Sequence, residues 1–285
     1  MKVSINGNIK SENEASIPAV SDGLFYGAGC FDTLKSYRNR FLHLNRHIER
    51  LNRGIAYLTG RDSDFFDERL LRSELTELLV ANALDDGEAR VRIQVSLAGR
   101  DGYSQPDTHP PNLNTMITAS DMTGQSFDPV YLTSVATTVV PSDSIPSHLK
   151  LSNMLHYRQA AIEASGKGGD DALMCTTNGY VAETSIANIF WEKGKTVYTP
   201  SIACDILPGV TRSIIIHLVE TLGLTIEEGH YLPNELKEAD TAWICNSIRE
   251  LVWIRTIDEH DYSQDSDFKH ELRKQFELYK AKHIQ

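Results

Sequence analysis

The sequence lacks the features that would place it in several protein classes. Its four cysteines, Cys30, Cys175, Cys204 and Cys245, are scattered and form no CxxC pair, so neither a zinc site nor a disulfide framework is indicated. It contains no run of Lys or Arg, and its 28 basic and 39 acidic residues give a net charge of −11. This acidic balance argues against nucleic acid or an anionic membrane as the main partner.

Long apolar segments are missing as well. No apolar run approaches the roughly 20 residues that are needed to span a bilayer. The N-terminal stretch MKVSINGNIKSENE lacks the apolar core of a signal peptide. We therefore expect a cytoplasmic protein with no membrane partner.

What is present is a chain of 285 residues without an internal repeat, which is long enough for two domains. Its predicted strands and helices show no regular βαβ alternation, which favours an α+β fold class. The polar stretch SDMTGQSFDP carries Gly and Pro and separates two β-rich regions. We predict a smaller N-terminal α+β domain at 1–120, a linker at 121–129 and a larger C-terminal domain at 130–285, which would bind the cofactor.

Local patterns predict individual elements. The Asn-Gly pair at 6–7 follows a strand-like run and predicts a hairpin turn. The stretch HLNRHIERLNRGIAYL spaces its apolar residues by three and four, as in an amphipathic helix. Residues 90–98 alternate apolar and polar side chains, which predicts a half-buried strand. We also predict strands between 130 and 140 and a helix over 151–161.

Lys150 lies between Leu149 and Leu151, where a polar loop meets that last predicted helix. The common explanation of such a lysine is a stem that lies on apolar surface while the ammonium reaches water. A functional role needs support from elsewhere in the chain.

Other residues suggest ligands of one anionic cofactor. In ILPGVTRS, a Pro-Gly pair precedes a predicted helix, so the backbone N–H of Val210 and the Thr211 hydroxyl could bind an anion. Arg50 lies on the amphipathic helix beside core-facing residues, where a half-buried guanidinium favours a bidentate anionic partner. Ser247 follows a predicted buried strand, and Glu183 lies on a strand before small polar residues. Taken singly, each has an ordinary structural explanation.

The order of these residues closely resembles that in the fold type IV pyridoxal phosphate enzymes. That family includes branched-chain aminotransferases, D-amino acid aminotransferases and aminodeoxychorismate lyases. The resemblance covers nearly the whole chain and runs through HIERL, the junction lysine, NGYVAETSIANIF, TPSIACDILPGVTR and ICNS. It implies a two-domain fold like that of D-amino acid aminotransferase, pyridoxal 5'-phosphate as cofactor and a homodimer.

The resemblance also implies roles for the residues. Lys150 would form the internal aldimine, and its apolar flanks suit this role because burial favours the neutral amine. Glu183 would pair with the pyridine nitrogen. The phosphate would be bound by four residues: Arg50, Val210 through its N–H, Thr211 and Ser247.

The substrates of this family carry a carboxylate, which a fork-shaped guanidinium binds well. The candidates are Arg90, Arg92 and Arg100, with Phe31 as a further substrate-binding residue. We expect Arg100 to bind the carboxylate because its loop is flanked by glycines and can approach a ligand closely. A solvated side chain is the alternative for each arginine.

Departures from the subgroup patterns leave the activity open. Leu155 stands where branched-chain enzymes usually have a tyrosine, and Gly102 replaces the histidine of an Arg-x-His pair in D-amino acid enzymes. The stretch GAGCFDT is nearest to the lyase pattern GDGCFTT, but Ala28 replaces the usual aspartate.

Three hypotheses follow from these patterns. The first is an aminotransferase between amino acids and 2-oxo acids. The second is a lyase that splits 4-amino-4-deoxychorismate into pyruvate and 4-aminobenzoate, in the folate pathway. The third is a non-catalytic member of the fold, against which the intact Lys150, Glu183 and Arg50 argue. We prefer the aminotransferase because the lyase match is incomplete.

Overall fold

The computed structural model describes residues 1–62, 64–104, 112–264 and 266–285. The chain divides into two compact units. Unit one comprises Met1–Gln125, Leu149–Asn153 and His283–Gln285, and unit two comprises Ser126–His148 and Met154–Lys282. The step from Gln125 to Ser126 falls within the linker predicted at 121–129. Leu149–Asn153 belong to unit one, although they lie within the range 130–285 that was predicted as the C-terminal domain.

Unit one is built on an antiparallel sheet. Its described strands are β1 (Lys2–Ile5), β2 (Asn8–Ser11), β3 (Gly29–Tyr37), β4 (Glu88–Leu97) and β5 (Leu113–Asp121). Its described helices are α1 (Asp22–Phe25), α2 (Leu44–Thr59) and α3 (Glu68–Ala81), with a short 3₁₀ turn at Glu12–Glu14. The strand order is β2-β1-β5-β4-β3, so β3 has a free side on which a further segment can pair.

Short-range predictions for unit one are confirmed. Asn6 and Gly7 have φ values of 50° and 77°, as a tight hairpin turn between β1 and β2 requires. Helix α2 buries Ile48, Leu51 and Ile55 on one face, in agreement with the amphipathic pattern. Strand β4 alternates buried residues with more exposed ones along its length.

Helix α2 packs against β3 at a glycine. A Cβ atom at Gly54 would lie 2.8 Å from the Cβ of Cys30, so this approach requires a residue without a side chain. The close packing lets two polar residues of α2, His47 and Arg50, reach Asp32 in β3.

Unit two contains a mixed sheet. Its described strands are β6 (Val130–Ser134), β7 (Asp171–Cys175), β8 (Val181–Thr184), β9 (Asn188–Lys193), β10 (Thr196–Pro200), β11 (Thr225–Gly229), β12 (Thr241–Asn246), β13 (Glu250–Ile257) and β14 (His260–Asp261). Its described helices are α4 (Leu155–Gly166), α5 (Val210–Thr221), α6 (Pro233–Leu236) and α7 (Asp267–His283), with a 3₁₀ turn at Ile202–Cys204. The strand order is β11-β10-β9-β12-β13-β6-β7-β8, and β14 pairs with β13. Strand β12 is therefore central, and its first five residues are buried.

The helix predicted over 151–161 begins later than expected, at Leu155, and runs to Gly166. The prediction was wrong because residues 150–152 pair with the backbone of β3 instead. Those tertiary hydrogen bonds outweigh the local helical pattern.

The strands predicted between 130 and 140 are also shorter, because β6 ends at Ser134. The backbone N–H groups of Ala136 and Thr137 donate to the Glu163 carboxylate at 2.7 and 3.2 Å. A side chain thus supplies the acceptors that a neighbouring strand would otherwise provide. No helix within the described residues is both long enough and apolar enough to cross a membrane.

Candidate active site

A short extended segment carries Lys150 along the free side of β3. The Phe31 N–H donates to the Lys150 carbonyl at 2.9 Å, and the Ser152 N–H donates to the Gly29 carbonyl at 2.8 Å. Leu151 is buried, whereas Lys150 is half-buried. The main chain at Lys150 is therefore fixed by β-type hydrogen bonds, while its side chain lies on the same face as Phe31.

Gly29 makes this pairing possible. A Cβ atom there would lie 2.6 Å from the Val95 carbonyl oxygen and 2.8 Å from the Ser152 Oγ. Any other residue would push the lysine segment away from β3.

The Phe31 ring contacts two cationic side chains. The guanidinium carbon of Arg92 lies 3.7 Å from the ring centroid, and the Lys150 Nζ lies 4.8 Å from it. Phe31 itself is buried. Both distances allow cation–π attraction, so the ring places a fixed guanidinium in the neighbourhood of the lysine amine.

Gln94 connects Arg92 to the lysine segment. The Arg92 Nη2 donates to the Gln94 Oε1 at 2.9 Å, and the Gln94 Nε2 donates to the Ser152 Oγ at 2.7 Å. Burial and the charge of Arg90 lower the pKa of Arg92, although Asp32 opposes this effect. The Arg92 guanidinium is thus held by neutral groups. An anionic ligand beside it would stabilise its positive charge.

Asp32 organises a second group of charges in unit one. Arg50 donates to both of its carboxylate oxygens at 2.8 Å, and the His47 Nδ1 lies 2.9 Å from the Asp32 Oδ1. All three residues are buried. Burial alone would raise the pKa of Asp32, but the charges of Arg50 and His47 hold it well below its usual range. The bidentate anionic partner that the sequence suggests for Arg50 is therefore supplied by the protein itself.

The other two candidate arginines lie outside these groups. Arg90 is on β4 but exposed, and Arg100 is exposed in the loop after β4. The Arg100 Nε donates to the Val20 carbonyl at 3.3 Å. Neither has the contact with Phe31 that Arg92 makes.

In unit two, Glu183 is a buried carboxylate on β8, not an exposed strand residue. The Tyr157 hydroxyl donates to its Oε1 at 2.6 Å, and the Asn188 Nδ2 donates to its Oε2 at 3.0 Å. The Leu207 N–H lies 3.3 Å from both oxygens. These three donors are uncharged, and they fix the position of the carboxylate.

Asn188 links Glu183 to the start of α5. Its Nδ2 also donates to the Leu207 carbonyl at 2.9 Å. A Cβ atom at Gly209 would lie 2.3 Å from the Asn188 Oδ1, so only glycine fits where the loop passes this amide. The carboxylate and the helix start are therefore held together by one side chain.

Helix α5 begins at Val210, as the Pro-Gly pair predicts. The N-cap residue Gly209 provides no side-chain cap, and Val210 and Thr211 lie buried in the first turn. A helix start of this kind presents backbone N–H groups and a positive dipole end to an anion, and the Thr211 hydroxyl adds a donor.

Ser247 directly follows the buried strand β12, as predicted. The Asn246 Oδ1 accepts from the N–H groups of Ile248 and Arg249 at 2.9 and 2.7 Å. This Asx-type turn fixes the backbone around Ser247, which is half-buried.

Sequence reasoning gave no role to four residues that the structure places beside the candidates: Asp32, Gln94, Tyr157 and Asn188. A signal existed for Asp32, which is a lone charge in the apolar run CFDTL, and for Asn188, which lies within NGYVAETSIANIF. Gln94 and Tyr157 carry no local signal, because their importance lies in contacts with residues distant in the sequence.

Comparisons with known proteins show what the chain is similar to. The model of the family described as Amino-transferase class IV matches residues 29–257. The aminodeoxychorismate lyase of Bacillus subtilis is 32% identical over 267 residues, which cover 92% of this chain and 88% of that protein. The D-alanine aminotransferase of Bacillus licheniformis is 26% identical over 259 residues, which cover 90% and 89% of the two chains.

Among solved structures, the branched-chain aminotransferase from Thermoproteus uzoniensis with norvaline aligns with a TM-score of 0.87 at 26% identity. The alignment covers 99% of this chain and 95% of that one. This agreement confirms the predicted α+β fold of type IV.

Proposed function

This chain belongs to the class IV aminotransferase family, whose enzymes use pyridoxal 5'-phosphate, and we propose that it transfers an amino group between an amino acid and a 2-oxo acid. The main support is the Phe31 ring, which contacts both the Lys150 amine and the Arg92 guanidinium. An amine for covalent chemistry and a cation for a carboxylate are the two groups that an amino acid substrate requires.

The donor chemistry of the chain fits the cofactor. The Lys150 amine suits its aldehyde, and the buried Glu183 carboxylate suits a protonated ring nitrogen. The first turn of α5, which begins at Val210 and contains Thr211, suits its phosphate. Arg50, Val210 and Ser247 are the further phosphate ligands in this proposal. When bound, the cofactor supplies a ring that accepts the electrons left behind when the Cα proton departs.

The residues of unit one would bind and orient the substrate. Lys150 takes the proton from the substrate Cα and returns it, while the hydrogen bonds to β3 keep its main chain in place. Arg92 binds the substrate carboxylate, and the Phe31 ring lies against the charged ends of both cations. In this proposal Arg92 takes the role that the sequence suggests for Arg100, because Arg92 is the arginine that shares a contact with Lys150.

A substrate panel tests the proposed reaction. Purified protein with pyridoxal 5'-phosphate is mixed with L- and D-amino acids and a 2-oxo acid acceptor, and both products are identified. We expect a new amino acid and a new 2-oxo acid in equal amounts. Absence of amino transfer from every amino acid of the panel would contradict the proposal.

The lyase is a second candidate, and a specific observation favours it. The relative from Bacillus subtilis is named as an aminodeoxychorismate lyase and is 32% identical, and GAGCFDT is near the lyase pattern. The same chain residues would serve both reactions, since both begin with loss of a Cα proton to Lys150. Release of pyruvate and 4-aminobenzoate from 4-amino-4-deoxychorismate, without amino transfer, would assign the lyase.

The covalent role of Lys150 has its own test. Borohydride reduction of the cofactor-loaded protein, followed by peptide mapping, should label Lys150. Labelling of Lys167, Lys193 or Lys195 instead would remove the role from Lys150.

We also propose a homodimer, in the cytoplasm as the sequence suggests. Leu24, Phe25 and Tyr103 are exposed by 66%, 59% and 96%, and the Tyr26 and Tyr103 rings lie 5.2 Å apart. A second copy of the chain would cover this apolar surface. Phe31, by contrast, is buried and does not contribute to it. A fully active monomer in equilibrium sedimentation at micromolar concentration would contradict the dimer.

A further inference from the structure

Tyr157 makes the shortest hydrogen bond to Glu183 among the described donors. Its hydroxyl lies 2.6 Å from the Glu183 Oε1, whereas the Asn188 amide lies 3.0 Å from the Oε2. A short O–H···O⁻ distance of this kind belongs to a charge-assisted bond, which is roughly twice as strong as a neutral one. The phenol is therefore a strong partner of the carboxylate.

The phenol is also a reliable donor. Burial raises the pKa of Tyr157, and the negative charges of Glu183 and Asp205 raise it further. The hydroxyl consequently keeps its proton throughout the pH range in which proteins are stable. The protonated Tyr157 hydroxyl therefore donates to Glu183 and does not place a second negative charge beside it.

Packing holds the Tyr157 ring in place. The ring packs against a buried cluster that includes Val139, Ala160 and Met174, and the His156 ring lies 4.1 Å from it. Tyr157 lies in the first turn of α4, so the cluster beneath that helix fixes the direction of its hydroxyl. The donor is thus positioned before any ligand binds.

We infer that Tyr157 is a positioning residue that acts through Glu183, keeping this carboxylate ionised and aimed so that the cofactor ring nitrogen retains its proton. This inference rests on the proposed function, in which Glu183 faces that nitrogen. A hydrogen bond to the charged form of a carboxylate lowers its affinity for protons. A proton shared between Glu183 and the ring then lies on the ring, where it favours electron withdrawal from the substrate.

The first test measures the ring nitrogen directly. Wild-type and Tyr157→Phe proteins are loaded with ¹⁵N-labelled pyridoxal 5'-phosphate, and the nitrogen shift reports its protonation. We expect a protonated ring in the wild type and a shift toward the unprotonated form in Tyr157→Phe. Tyr180→Phe is the matched control, because Tyr180 packs against the same cluster and its ring lies 5.1 Å from the His230 ring.

The second test is a double-mutant cycle on turnover. Tyr157→Phe should lower kcat by about 10- to 100-fold, the range for losing a hydrogen bond to a charged group, with a much smaller change in KM. In a Glu183→Gln background the same change should cost less than about 2-fold, because the charge through which Tyr157 acts is already gone. Loss of stability alone would give equal effects in both backgrounds.

The outcomes separate this inference from the proposed function. A protonated ring in the wild type with the same nitrogen shift in Tyr157→Phe overturns the role of Tyr157 and leaves the proposed function intact. Independent, additive effects of the two substitutions on kcat also overturn it. A wild-type protein that binds no cofactor overturns the proposed function, and the inference with it.

Discussion

Asp32 in unit one and Glu183 in unit two are both buried carboxylates, but the donors that hold them differ in charge. Asp32 receives two hydrogen bonds from the Arg50 guanidinium and contacts His47. The described donors to Glu183 include a phenol, a side-chain amide and a backbone N–H. A cation neutralises the carboxylate that it binds, whereas uncharged donors stabilise the anion and leave its charge in place.

The arginines of unit one repeat this contrast. Arg50 bonds to a carboxylate, whereas Arg92 bonds to the Gln94 amide and lies on the Phe31 ring. Arg50 therefore has a charged partner within the protein, and we propose that Arg92 directs its charge at a ligand.

The largest expected effect is that of removing the Glu183 carboxylate, which we propose as the partner of the cofactor ring nitrogen. Glu183→Gln should keep cofactor and fold but lower turnover by about two to four powers of ten, comparable to a buried charge partner worth ~3–5 kcal/mol. Steady-state kinetics and cofactor absorbance measure both properties. Glu163→Gln is the control, because Glu163 also accepts backbone N–H groups but lies at the surface of α4. Unchanged turnover in Glu183→Gln would contradict its role.

Removal of the Asp32 charge should instead lower the stability of the fold. Asp32→Asn removes the buried negative charge to which Arg50 donates at 2.8 Å, so it should lower the free energy of unfolding by about 3–5 kcal/mol. Glu88→Gln is the control, since it breaks the more exposed ion pair with Lys35 and should cost at most about 1 kcal/mol. Equal urea midpoints for Asp32→Asn and Glu88→Gln would contradict this prediction.

The same pair gives this prediction a pH dependence. The pKa of Asp32 is lower in the folded state, so its stabilisation is complete above the ordinary carboxyl range and is lost as the pH falls. The difference between wild type and Asp32→Asn should therefore shrink below about pH 4. A difference that stays constant into acid would show that the Asp32 charge is not its source.

Arg92, which is held by neutral groups, offers the next test. Arg92→Ala should weaken the specificity constant for the best carboxylate substrate by ~2–5 kcal/mol, with normal cofactor content. Arg100→Ala should have little effect because Arg100 is exposed. Both variants are compared in kcat/KM. If Arg100→Ala gives the larger loss, the role belongs to Arg100, as the sequence suggests.

The smallest expected effect concerns the helix start beside Glu183. Thr211→Val removes one hydroxyl donor and should weaken cofactor binding by about 0.5–1.5 kcal/mol, the value of a typical hydrogen bond. Thr221→Val, at the other end of α5, removes a hydroxyl that bonds to the His217 carbonyl at 2.8 Å. Fluorescence titration with pyridoxal 5'-phosphate should separate the two variants, and equal affinities would remove Thr211 from the phosphate site.

Local chemistry allowed several features to be predicted from sequence. The hairpin at Asn6-Gly7 and the start of α5 after Pro208-Gly209 depend on backbone preferences of neighbouring residues. The amphipathic helix α2 depends on a period that sequence displays directly. The order of motifs from Arg50 to Ser247 identified the family, which the comparisons confirm.

Contacts between distant residues could not be predicted in the same way. Lys150 was expected at a helix start, yet it lies on an extended segment because its hydrogen-bond partners belong to β3. Arg50 has the anionic partner that its burial demands, but the sequence does not say that Asp32 is that partner. The bond from Tyr157 to Glu183 joins a helix to a strand and left no local pattern.

The sequence by itself thus determined the fold class, the family and the kinds of chemical group that the site contains. Tertiary structure decided which groups hold each charge, as the Asp32 carboxylate at Arg50 and the Gln94 amide at Arg92 show. The physical reason is that backbone preference and hydrophobic period act over a few residues. The charge state of a buried group, in contrast, depends on every donor within hydrogen-bond distance, wherever in the chain it lies.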